Sequence, residues 1–138
     1  MSQQSSGRKS PVLRSPLRTA IGLGSAGTGT GHWWSQRLSA VALVPLTLWF
    51  AISLLGLPAL DFATVHAWLS ATLHAVFVVF LLVTLVYHSS LGLQVVAEDY
   101  IQHAGGRAVV LALLWLAHVV LAIAGVYAVV VISVGAPA

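Results

Sequence analysis

Three long apolar runs dominate this chain, at roughly 33–57, 65–97 and 108–134. A helix needs about 20 consecutive apolar residues to cross the hydrocarbon core of a bilayer, and each run reaches that length. Backbone N–H and C=O groups find no water in that core, so a run of this kind must satisfy them internally as a helix. The expected fold is all-α: an integral membrane protein with three transmembrane helices. Composition agrees, because 7% of the 138 residues are charged and 59% are hydrophobic, whereas a soluble domain carries about 25% charged residues. The length suits one compact membrane unit.

The second run is longer than a bilayer requires, so it is expected to tilt or to protrude at one end. Pro45 lies inside the first run and is expected to kink it, which membrane helices tolerate. The segment 56–62 holds Gly, Pro and Asp and reads as a turn, and 98–107 reads as a polar connection.

Residues 1–31 are rich in Ser, Gly and Arg and contain no acid. They read as a flexible, basic cytoplasmic tail ahead of a 32–138 membrane anchor. A secretory signal peptide needs an apolar stretch directly after its basic residues, and none occurs before Trp33; a mitochondrial transit peptide shares the tail's composition. The tail's Gly22–Gly27 segment matches G-x-G-x-x-G, but no strand precedes it and the first acid is Asp61, so a dinucleotide site is rejected. The formal charge of +3 does not point to nucleic acid, since four of the six basic residues (Arg8, Lys9, Arg14, Arg18) sit in this tail. Cations in the tail, at Arg37 and at Arg107, with none in the 56–66 loop or at the C-terminus, place the N-terminus in the cytoplasm and the C-terminus in the periplasm by the positive-inside rule. No cysteine occurs, which excludes disulfides, thiolate metal sites and protein-ligated iron–sulfur clusters in this chain.

Ionisable groups within a span are costly and mark candidate sites. His88 and Asp99 are eleven residues apart, about three turns, and so share a helix face, with Gly92 between them. Glycine there lets a flat ligand or another helix approach. His88 falls about 15 Å from the cytoplasmic end of its helix, near the bilayer centre. His118 follows Arg107 by eleven residues and falls at nearly the same depth on the third helix. A neutral imidazole at mid-membrane suits a haem iron, and equally a hydrogen bond between helices. A structural role suits His74, and a place at the outer interface suits His66. Arg37 reads either as a snorkelling anchor or as an anion clamp facing a propionate or substrate oxygen, with His32 and His103 able to support it. Glu98, Asp99 and Tyr100 close the second span, where acids oppose the macrodipole. They read as a solvated cap, or as a carboxylate and phenol that move protons and hold a carbonyl oxygen.

The run Tyr87-His-Ser-Ser-Leu-Gly-Leu-Gln-Val-Val-Ala-Glu-Asp-Tyr100 resembles the second helix of the small hydrophobic membrane anchor of succinate dehydrogenase, respiratory complex II. The segment Gly31-His-Trp-Trp-Ser-Gln-Arg-Leu-Ser-Ala-Val-Ala-Leu-Val-Pro-Leu-Thr-Leu-Trp49 is similar to the start of the first helix in its alphaproteobacterial members. The resemblance covers about residues 30–134. It implies a multi-pass protein of the bacterial cytoplasmic (inner) membrane. It further implies a b-type haem shared with a second cytochrome b anchor subunit, and an iron–sulfur subunit and a flavoprotein subunit docked at the cytoplasmic face. Electrons from succinate then reach ubiquinone near the anchors. Carried onto this chain, the resemblance makes His88 the axial haem ligand and puts Arg37 near the propionates. It has Tyr100 bonding a quinone carbonyl with Asp99 in support, and draws the second axial histidine from the partner anchor. His118 is the alternative second ligand. The chain would be a flavin-free subunit of the enzyme, inactive alone. Two other readings stand beside this one: a b-type anchor of another quinone-linked dehydrogenase such as fumarate reductase, and a cofactor-free scaffold whose Gly92, Ala122 and Gly125 serve packing only.

Overall fold

A computed structural model describes residues 29–135. The basic tail, its Gly22–Gly27 segment and the last three residues lie outside the described residues. Four helices follow one another: α1 (Gly29–Leu55), α2 (Phe62–Ser70), α3 (Thr72–Tyr100) and α4 (Ala104–Val134). Among the described residues, α1 from Thr30, α3 and α4 are long and apolar enough to cross a membrane, and there is no strand. The three-span, all-helical reading therefore holds.

The boundaries differ from the sequence reading in one informative place. The run 65–97 is divided at Ala71, whose backbone is extended (φ −68°, ψ 121°). Neither Gly nor Pro marks the break. Ser70 flanks it, and its hydroxyl donates to the His66 carbonyl at 2.8 Å, the local side-chain bond that competes with helix continuation. The Trp68 carbonyl accepts from the Ala71 N–H (3.4 Å) and from Nδ1 of His74 (2.9 Å). The break thus keeps its polar groups paired, and His74 has a structural role. The segment before it is short: α2 has nine residues, capped by the Asp61 carboxylate, which accepts from the Thr64 N–H at 2.8 Å. That bond holds the Asp61 carboxyl below its ordinary value. At the other end of α3, the connection shrinks to Ile101–His103, because Nδ1 of His103 accepts from the Gly106 N–H and starts α4.

Pro45 is accommodated within one continuous α1. Thr47, two residues on, donates its hydroxyl to the Leu43 carbonyl at 2.7 Å.

Packing is uneven. The α3 and α4 backbones run closest, with Gly125 seated against Leu82, where an added Cβ would overlap that side chain. Small residues permit this approach where lipid provides no hydrophobic drive between helices. By contrast, α1 keeps every described Cα more than 8 Å from those of the other helices and meets them through side chains. Two groups make that contact. Trp49 stacks on Trp68 and packs on His74 and Phe77, with Phe50 edge-on to Trp68. Further along, α1 presents a polar face to His88.

Candidate functional site

Elementary helix geometry assembles this polar face. On α1, His32, Gln36 and Ser39 are spaced four and three residues apart and line one stripe. On α3, His88 and Gly92 are four apart and face that stripe. Nδ1 of His88 lies 2.9 Å from the Ser39 hydroxyl, and Nε2 lies 3.4 Å from the side-chain nitrogen of Gln36. A Cβ on Gly92 would touch that same nitrogen at 3.6 Å. Two polar atoms of the stripe, Nε2 of His32 and Oε1 of Gln36, are buried without a hydrogen-bond partner. Buried polar atoms nearly always have one, so these two atoms call for a partner outside the described residues.

His118 sits on the other side of α3. Its Nδ1 donates to the Leu114 carbonyl at 2.7 Å, and its Nε2 meets the Ser89 hydroxyl at 3.1 Å. Ser89 follows His88 directly, so His118 meets α3 at the level of His88; one nitrogen of His118 is engaged within α4 and the other joins α4 to α3. His66, in the middle of α2, contacts Ser70 and Phe62.

Arg37 is not in the His88 stripe. It is exposed, and its guanidinium lies 4.4 Å from the Trp33 ring centre, a cation–π stack one turn back along α1. Asp99 and Tyr100 end α3, both exposed, with Tyr100 at 84%. They lie three turns from His88, and Asp99 shares its face by the eleven-residue spacing. Glu98 accepts from Gln94 at 2.8 Å, on its own helix. Gln36 and Ser39 are therefore brought to His88, with His32 on the same stripe of α1, while Arg37 lies outside that stripe and Asp99 and Tyr100 end α3 three turns away.

Sequence reasoning missed Gln36 and Ser39 as partners of His88, and Ser89 as the partner of His118. The available signal was the 32–36–39 polar stripe in an otherwise apolar helix, at a depth that matches His88. The apolar groove of about 320 Å³ between Thr72 and Val83 includes none of the stripe residues; it runs along α3 from about 24 Å to about 8 Å from His88.

Among the described residues no three His or acidic side chains converge on a metal site. An iron held in a porphyrin needs only axial ligands from protein, so one imidazole with one presentable nitrogen suffices.

The sequence matches the family described as succinate dehydrogenase/fumarate reductase transmembrane subunit over residues 12–128. The succinate dehydrogenase hydrophobic membrane anchor subunit of Rickettsia bellii is 34% identical over 89 residues, 64% of this chain and 71% of that protein. The subunit of the same name from Paracoccus denitrificans is 31% identical over 121 residues, 88% of this chain and 93% of that one. No solved structure matches. With three apolar spans and a match across most of its length, this multi-pass bacterial membrane protein belongs to the succinate dehydrogenase/fumarate reductase transmembrane subunits, as a hydrophobic anchor of succinate dehydrogenase.

Proposed function

We propose that this anchor gives the Nε2 of His88 to a b-type haem shared with a second anchor subunit, and that Tyr100 and Asp99 form its part of a ubiquinone site. The observation that carries the reading is the stripe around His88. One imidazole nitrogen is firmly bonded, the other is weakly opposed, and two buried polar atoms beside it lack partners. The residues fit such a group: beside Gly92 only the flexible Gln36 side chain covers the His88 face of α3, and His32 offers a ring nitrogen without a partner from the same stripe of α1. When bound, the haem supplies a one-electron redox centre. A second histidine for the iron would come from the partner anchor, as the family resemblance implies; the bonds of His118 to Leu114 and Ser89 support that choice.

The charge pattern supports the orientation. With the basic tail, Arg37 and Arg107 on the cytoplasmic side, the ends of α1 and α3 that carry Arg37, Asp99 and Tyr100 face the iron–sulfur and flavoprotein subunits. Arg37, stacked on Trp33 at the interface, contributes positive charge toward the propionates or the quinone. The exposed Tyr100 hydroxyl donates to a quinone carbonyl and stabilises negative charge developing on that oxygen. Asp99 holds the phenol or passes protons to it from the cytoplasmic surface.

Tyr100→Phe tests the quinone half. Succinate-dependent ubiquinone reduction should fall by about 10-fold or more, the scale of losing a donor to a developing oxyanion. Electron transfer to a water-soluble dye at the flavoprotein should persist. Unchanged quinone reduction and unchanged inhibitor affinity would remove Tyr100 from the site.

A further inference from the structure

Ser39 is the one polar side chain buried to the level of the core among the described residues, at 7% exposure. Its hydroxyl has one proton and three neighbours: the Ser35 carbonyl at 2.8 Å, the Gln36 carbonyl at 3.0 Å and Nδ1 of His88 at 2.9 Å. The Gln36 amide nitrogen that faces Nε2 has only hydrogens to donate, so Nε2 accepts and Nδ1 carries the ring proton; the Ser39 hydroxyl proton then goes to one of the carbonyls, the usual back-bond of a helical serine. The oxygen's lone pairs then face Nδ1, which must carry the imidazole proton and donate it. The opposite nitrogen, Nε2, keeps its lone pair. It is opposed only by the Gln36 amide at 3.4 Å, the longest contact of the set.

We propose that Ser39 is a positioning residue that fixes the tautomer and ring orientation of His88, so that Nε2 is the nitrogen presented for metal binding. This rests on the haem reading above and adds to it the residue that prepares the ligand. Metal-bound imidazoles are commonly oriented through the ring nitrogen that does not bind metal, and that bond raises their basicity. Here the chain of bonds runs from His88 Nδ1–H to the Ser39 oxygen, and from the Ser39 O–H to the backbone of α1. It crosses from α3 to a helix whose backbone stands more than 8 Å away, so the ligand's orientation depends on the placement of α1.

The test uses the intact four-subunit complex in mild detergent. Ser39→Ala should assemble and keep a b-type spectrum. Its haem midpoint potential should move upward, because a less basic imidazole favours the oxidised iron less. The low-spin electron paramagnetic resonance signal should shift, and haem should be lost roughly 10-fold faster on mild heating. Ser39→Thr should restore the parent values, and Ser39→Val, equal in shape to Thr without the hydroxyl, should behave as Ser39→Ala. If the alanine variant does not assemble, the Thr and Val pair decides the matter. Parent potential and signal in Ser39→Ala, or equal shifts in Thr and Val, would overturn the proposal. His88→Leu run in parallel separates the two levels. A b-type spectrum surviving that change means the ligation itself is wrong. Loss there with an unmoved Ser39→Ala potential removes only the role of Ser39.

Discussion

The imidazoles of His88 and His118 leave α3 and α4 in different chemical states. His88 has one nitrogen tightly held and the other facing an amide at 3.4 Å, whereas His118 has a 2.7 Å bond to its own helix and a 3.1 Å bond to Ser89. His118→Leu should therefore leave the low-spin bis-imidazole spectrum of the complex in place and cost only the tie between helices, about 0.6 kcal/mol on average for such bonds in membranes; loss of that spectrum would move a ligand onto His118. At the opposite end, Asp61 makes a prediction about pH. Its folded-state value is depressed, chiefly by the Thr64 N–H, so the cap contributes above the ordinary carboxylate range and is lost as pH falls through the depressed value. Asp61→Ala should speed hydrogen exchange at the Thr64 amide near neutral pH, and Asp61→Asn should retain much of the protection; equal exchange in all three proteins would contradict the cap. Spacing alone put Asp99 on the face of His88, because eleven residues is three turns whatever the helix packs against, whereas the role expected of Tyr100 came from the family resemblance. Ser39 and Gln36 left a partial signal in the 32–36–39 spacing, but other polar residues of α1 such as Ser35 and Arg37 lie off that stripe, and which face meets α3 is set by packing.

Helix by helix, the close pair and the loose helix have different causes. Gly125 lets α3 and α4 approach through Leu82, whereas α1 is held by an aromatic group at one end and by Gln36 and Ser39 at the other. Gly125→Leu should force α3 and α4 apart and lower the yield of assembled complex several-fold, with the overpacking cost of about 1–3 kcal/mol; a normal yield and normal thermal stability would show that the seam is not this tight. The three spans were legible because length and hydropathy decide them. The division at Ala71 was not, because its cause is a serine bonding to its own backbone, and Ser, Ala and Thr in sequence carry no breaker signal comparable to Gly or Pro. The early start of α4 was similarly obscured, since His103 caps it in place of the more usual Ser, Thr, Asn or Asp.

At the scale of the whole molecule, the described residues form three spans with little interior of their own. Its core consists of Ala75, Leu81, Val86, Leu91, Ala97 and Val129, and no described side chain falls below 2% exposure. A soluble protein with this much exposed apolar surface would aggregate, but lipid and partner helices cover such a surface in a membrane. Among the described residues, the polar stripe between α1 and α3 holds the buried polar atoms that lack partners, and it lies between the loosely attached helix and α3. The central claim is that His88 in this stripe binds iron. The most direct measurement is the reduced-minus-oxidised absorption spectrum of the assembled complex carrying His88→Leu. The account predicts that the b-type band is abolished or altered, with the flavoprotein and iron–sulfur subunits still attached. A band of parent position and intensity in that assembled variant would contradict it.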